Sequence, residues 1–124
     1  MPSIGDVIEL IADLPDRNLR VGSQGTIVHC HGNQAYEVEF INEAGETLDF
    51  LAVRPEQLIV VWRADTQQWV PLAEQAAAVV AQLPAEAGRE VLDFARFLVV
   101  RFQRPSRDRW GGRVLSQAQP TLAP

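Results

Sequence analysis

The sequence predicts an α+β protein: a small five-stranded β-barrel, then a helical hairpin, then a disordered tail. Three observations carry this. In residues 21–40, VGSQGTIVHCHGNQAYEVEF, the apolar Tyr36, Val38 and Phe40 alternate with Glu37 and Glu39, the period of two of a half-buried strand. Between Leu72 and Phe102 apolar residues recur at helical spacing, interrupted by Pro84. Residues 103–124 carry four arginines, one aspartate, Gly111-Gly112 and three prolines with no periodicity, the composition of a chain that does not fold alone. The expected divisions are a barrel over 1–62, a connector over 63–70, a helical hairpin over 71–103 and a flexible tail over 104–124.

Residues 6–11 read as the first strand, with Val7 and Ile8 on opposite faces. A loop over 12–19 follows, since Pro15 disfavours a ladder and Leu14-Pro15-Asp16-Arg17-Asn18 is turn chemistry. Residues 21–30 bring the chain back. Gly22 and Gly25 permit sharp bending there, and glycines in small barrels often mark bulges or corners. The first hairpin closes through His31-Gly32-Asn33-Gln34. The next turn is Asn42-Glu43-Ala44-Gly45-Glu46, with Gly45 placed for a left-handed conformation. Residues 47–53 form a strand with Leu48, Phe50 and Ala52 on one face and Thr47, Asp49 and Leu51 on the other. Pro55-Glu56-Gln57-Leu58 reads as one helical turn, and residues 58–62 as a short apolar last strand. The expected core is Val7 or Ile8, Val28, Tyr36, Val38, Phe40, Leu48, Phe50 and Leu58.

Five short strands, a long first loop and a one-turn helix before the last strand describe an SH3-like barrel. DVIELIADLP, then VGSQGTIV, YEVEF, GET and PEQL resemble a small bacterial domain family of unknown function, common in cyanobacteria. The resemblance covers about residues 4–61 and implies no activity. SH3-like domains of this kind occur in ribosome-associated and photosynthetic electron-transfer accessory proteins.

Beyond the connector, Pro71 suits the first turn of a helix. Leu72, Gln75-Ala76, Val79-Val80 and Leu83 recur at helical spacing. Pro84 ends that helix and begins another. Ala87, Val91, Phe94-Ala95, Leu98 and Phe102 form one apolar stripe, which Leu92, Val99 and Val100 widen beyond a normal core-facing face. LPAEAGREVLDFARFLVVRF, residues 83–102, resembles a short helical family found in antitoxin-like proteins of toxin–antitoxin pairs.

The chain has 124 residues, 47% of them hydrophobic, the composition of a folded globular protein. A barrel of about 60 residues is marginal alone, so the helices or a second chain are expected to help bury it. The first residues show no basic region or long apolar run, and no segment reaches the length of a membrane helix. One cysteine, Cys30, makes no internal disulfide. The expected setting is a prokaryote-like cytoplasm. Residues 1–70 hold 11 Asp/Glu against 4 Arg, a net −7, and residues 71–124 hold 5 against 7, a net +2. An acidic barrel argues against nucleic acid, whose affinity rests on cationic neutralisation.

No constellation announces a reaction. His29-Cys30-His31 has metal-ligand types, with the two histidines on one strand face and Cys30 on the other. A zinc site needs three or four ligands and no further ones are evident, so neither metal nor cofactor is expected, and no catalytic thiol. Glu37, Glu39 and Asp49 are expected to share a solvated outer face rather than an acid–base pair. Gly22, Gly25 and Gly32 do not open a helix as a phosphate loop requires. Trp62 is expected to pack between barrel and helices. Trp110, in the arginine-rich tail, is a candidate partner contact. The resulting expectation is a non-enzymatic adaptor that docks onto a protein partner and forms a homodimer through its helices, at Leu92, Phe94, Phe97, Leu98 and Phe102, with Trp110 as an added contact. An antitoxin-like regulator is the alternative. An RNA-binding ribosomal accessory rests on the arginine tail alone.

Overall fold

The computed structural model describes residues 1–103. Six strands form an antiparallel sheet among them: β1 (Val7–Leu10), β2 (Gln24–His31), β3 (Ala35–Ile41), β4 (Thr47–Val53), β5 (Leu58–Arg63) and β6 (Gln68–Trp69). Their order is β4-β3-β2-β1-β5-β6. Two helices follow, α1 (Leu72–Ala81) and α2 (Ala85–Arg101). The class is α+β as expected. The sheet, however, has six strands rather than five, and it is not closed into a barrel: β4 and β6 stand at its edges. The added strand lies inside the expected connector. Residues 64–67 turn, with Gln67 at φ 54°, and Trp69 and Gln68 then pair with Trp62 and Arg63. Two residues are too few to show an alternation.

The chain divides into a unit ending at Pro84 and one beginning at Ala85. In the first, Ile8 and Leu10 of β1, Ile27 of β2, Tyr36, Val38 and Phe40 of β3, Val53 of β4, Leu58 of β5 and Leu19 of the first loop make one buried cluster. Ile8 rather than Val7 is its β1 member. Gly25 of β2 is buried beneath β3, where a Cβ would stand 2.6 Å from Val38 Cγ1 and 2.8 Å from the Glu39 carbonyl oxygen. No side chain fits there. Helix α1 packs on β5, and its first turn is tied back by Gln75 Nε2, which donates to the Val70 carbonyl at 2.9 Å.

Three residues expected in the core lie outside it. On β2, Ile27 faces Val38 and His29 faces Glu37, which leaves Val28 as the extra residue of a bulge; it is exposed. On β4 the partners of Phe40, Val38 and Tyr36 are Asp49, Leu51 and Val53, and residues directly opposite one another share a face. The inward set is therefore 49, 51 and 53. Leu48, the extra residue of a second bulge, and Phe50 are 56% and 52% exposed. A phase shift of one residue turns every side chain of a strand to the other face. Asp49 is accordingly not beside Glu37 and Glu39. It is half-buried, opposite Phe40, and takes an ion pair from Arg17 in the first loop at 2.7 Å.

The turns follow their chemistry. Gly45 sits at φ 83°, and the Asn42 side-chain oxygen accepts the N–H groups of Ala44 and Glu46, each at 2.9 Å. Pro55–Gln57 is a single 3-10 turn whose Gln57 side chain accepts the Arg54 N–H at 2.9 Å.

Candidate functional site

Helix α2 carries an exposed apolar surface. The helix begins just after Pro84, with Glu86 in its first turn and Arg101 in its last, both favourable to the helix dipole. It is 17 residues long, and none of them is buried. Phe94 is 60% exposed and Phe102, one residue past the helix, 68%. Leu92, Phe97, Val91, Val99 and Val100 are exposed as well, and Leu98 is half-buried.

At 3.6 residues per turn, Ala87, Val91, Phe94, Leu98 and Phe102 line one stripe, with Gly88 and Ala95 beside them. Leu92 and Val99 border it on one side. Phe97 lies past its other border, but the structure brings it back against the stripe: the Phe94 and Phe97 ring centres are 5.9 Å apart at 30°. Arg101 lies over the Phe102 ring at 5.0 Å, and Asp93 accepts from Arg96 at 3.1 Å. A Cβ on Gly88 would meet nothing within 4 Å, so nothing among the described residues requires a glycine that costs the helix about 1 kcal/mol against alanine. Of the expected interface residues, Leu92, Phe94, Phe97 and Leu98 thus stand on one helix, and Phe102 directly follows it. Trp110 lies outside the described residues. Val91 and Val99 belong to the same surface, for which the breadth of the helical pattern is the signal; Val100, about 160° round the helix from Leu98, stands on the far side and does not widen the stripe as expected.

A second exposed patch lies at the β4 end of the sheet, where Leu48, Phe50 and Ile41 surround Glu39. The register found above accounts for it: residues that a one-residue phase error places in the core are on the surface. One cross-strand row runs from this patch through the whole sheet, Phe50, Glu39, Thr26, Val7, Trp62 and Trp69. Trp62 is half-buried in that row, beside Val7 and Trp69, and Trp69 is exposed.

The polar clusters are small. His29 and His31 share a face with ring centres 4.7 Å apart, while Cys30 packs against the core. Glu37 is the neighbour that sequence reasoning missed. It stands opposite His29 in the register, and its Oε1 lies 3.2 Å from His31 Nε2. Among the described residues no three His, Cys, Asp or Glu side chains are grouped to hold a metal ion. Glu39 accepts the Thr47 hydroxyl at 2.7 Å. A groove of about 320 Å³ between α1 and β5, floored by Leu58, Ile59 and Val60, has Arg63 and Glu74 as its charged lining residues and no serine, cysteine or histidine.

Among the described residues the most buried charged group is Asp6, at 2% exposure. Its carboxylate accepts the Ser3 N–H at 2.9 Å and the Ala64 N–H at 2.8 Å, fastening the entry of β1 to the turn after β5. Its part is architectural.

Residues 4–60 match the family model described as Domain of unknown function (DUF4926). The N-terminal part of the chain, from the entry of β1 into β5, is thus a domain of unknown function, and the match stops short of β6, α1 and α2. Comparison with curated proteins gives no match. Comparison with solved structures gives none either. No helix of the described residues is long and apolar enough to cross a membrane.

Proposed function

We propose that the chain is a non-enzymatic interaction module: an SH3-like domain, β1 to β5, that a self-associating helix, α2, joins to a second copy and so presents to a protein partner. The observation that carries this is the exposure of α2. A lone helix of this length is marginal in water, and most helical stability in proteins comes from burying an amphipathic face. A face of valines, leucines and phenylalanines with no covering is the mark of an interface. A two-fold dimer, in which the same face meets itself, is the commonest arrangement. A bacterial cytoplasmic setting belongs to the same proposal, the reducing conditions of a cytoplasm suiting the free Cys30.

Light scattering on the full chain at micromolar concentration should give about twice the mass of one chain. Phe94→Glu, which sets a charge in the middle of the face, should return it to one. A wild-type protein that stays monomeric at every accessible concentration would overturn the reading.

A further inference from the structure

The charges of α2 say how two copies would meet. Its first half carries Glu86, Glu90 and Asp93 against Arg89, and its second half carries Arg96 and Arg101 with no acid. One half is thus acidic and the other basic. The dipole accounts for Glu86 and Arg101 at the two ends. It does not account for Glu90, which lies in the second turn and on the same flank as Arg101. The two are eleven residues apart, about three turns of an α-helix, so they share an edge of the apolar stripe with opposite charge.

We infer that α2 pairs with α2 of a second copy in antiparallel orientation, with Glu90 of each copy against Arg101 of the other. This rests on the self-association proposed above and adds its direction and register. Antiparallel helices related by a two-fold axis bring the same flank of each together in reverse order. With the axis near Ala95, Val91 meets Leu98 of the second copy and Ala87 meets Phe102. In that same register Glu90 and Arg101 are two residues, about 3 Å along the axis, from level with each other and within reach of their side chains, twice over by symmetry. Arg96, two residues from Phe94 and so about 160° round the helix from it, faces away from the seam and is paired with Asp93 of its own helix at 3.1 Å. Gly88 and Ala95, seven residues apart beside the stripe, hold the facing backbones close. A parallel pair would bring opposite flanks together, so that Glu90 and Arg101 would each stand across the seam from their own copies and the two would not pair.

Charge reversal separates the two orientations. In the full chain, Glu90→Arg alone and Arg101→Glu alone each turn two attractive contacts into two repulsive ones. Each should raise the dimer dissociation constant about tenfold, measured by sedimentation at low salt. The double variant Glu90→Arg, Arg101→Glu should restore it, because the pairs re-form with their charges exchanged. Helicity by circular dichroism confirms that the variants keep their fold. An independent arm uses single cysteines in a Cys30→Ser background: Ala95→Cys, near the axis, should cross-link to itself under mild oxidation, and Ala87→Cys should not. A dimer with no rescue in the double variant, or with equal cross-linking at 87 and 95, overturns the antiparallel pairing and leaves self-association standing. A wild type that is monomeric under the same conditions overturns both.

Discussion

In the sheet, Ile8, Leu10, Ile27, Val38 and Val53 have no exposed surface. In α2, seventeen residues long, none is buried. Both segments are rich in apolar side chains, so the difference lies in geometry. Strands β1 to β5 curl their inward sets onto one another across a ladder of backbone hydrogen bonds, and each buried side chain excludes water from its neighbours. A helix satisfies its own backbone and can stand without a tertiary partner as far as hydrogen bonding goes, yet it gains no burial by doing so. Apolar content therefore marks where a surface is needed, and topology decides whether the same chain supplies it.

The largest effect that tests this contrast is in the sheet. Val38→Asp places an unpaired charge where no water reaches and should cost more than about 3 kcal/mol, enough to unfold the domain. A soluble variant that still melts cooperatively in urea would break the assignment of the core. Asp6→Ala comes next. It removes the buried carboxylate to which the part-buried N–H groups of Ser3 and Ala64 donate, at about 1–3 kcal/mol, read from the urea midpoint. The smallest effect belongs to Phe50→Ser. With half its surface in water, Phe50 should tolerate the change within about 0.5 kcal/mol, and a loss of several would mean that the inward face of β4 is the one carrying Leu48 and Phe50 after all.

That last comparison shows where the sequence is legible. On β3 the alternation of Tyr36, Val38 and Phe40 with two glutamates allows one phase only, and that phase is the one observed. On β4, TLDFLAV offers apolar residues in both phases, with Leu48 and Phe50 against Leu51 and Val53. The choice is made by pairing with β3 and by the bulge at Leu48, neither of which is a local property. Val28 is lost to a bulge in the same way, because one unpaired residue shifts everything beyond it. The edge strand β6 is too short to carry a period. Asp6 looks like any surface acid until its partners are known, since both are backbone N–H groups, one of them 58 positions away. For the candidate site the apolar width of α2 is plain from helical spacing. The place of Phe97 is not, because ring contact with Phe94 overrides its angular position.

The pairing of β1 with both β2 and β5 has a consequence for the order in which the protein can be made. At about 5–20 residues per second, the ribosome needs about 3–12 s to travel the 58 positions from Asp6 to Ala64. During that interval β2, β3 and β4 can pair as successive hairpins and take up one side of β1. Ile8 and Leu10 have no cover on the other side until Leu58 and Val60 have been added. The domain thus closes late and from its two ends, and the clamp of Asp6 on Ala64 is its last fastening. A nascent chain arrested before Leu58 should be cut readily by a protease within β1, and one with Ala64 clear of the ribosome should resist.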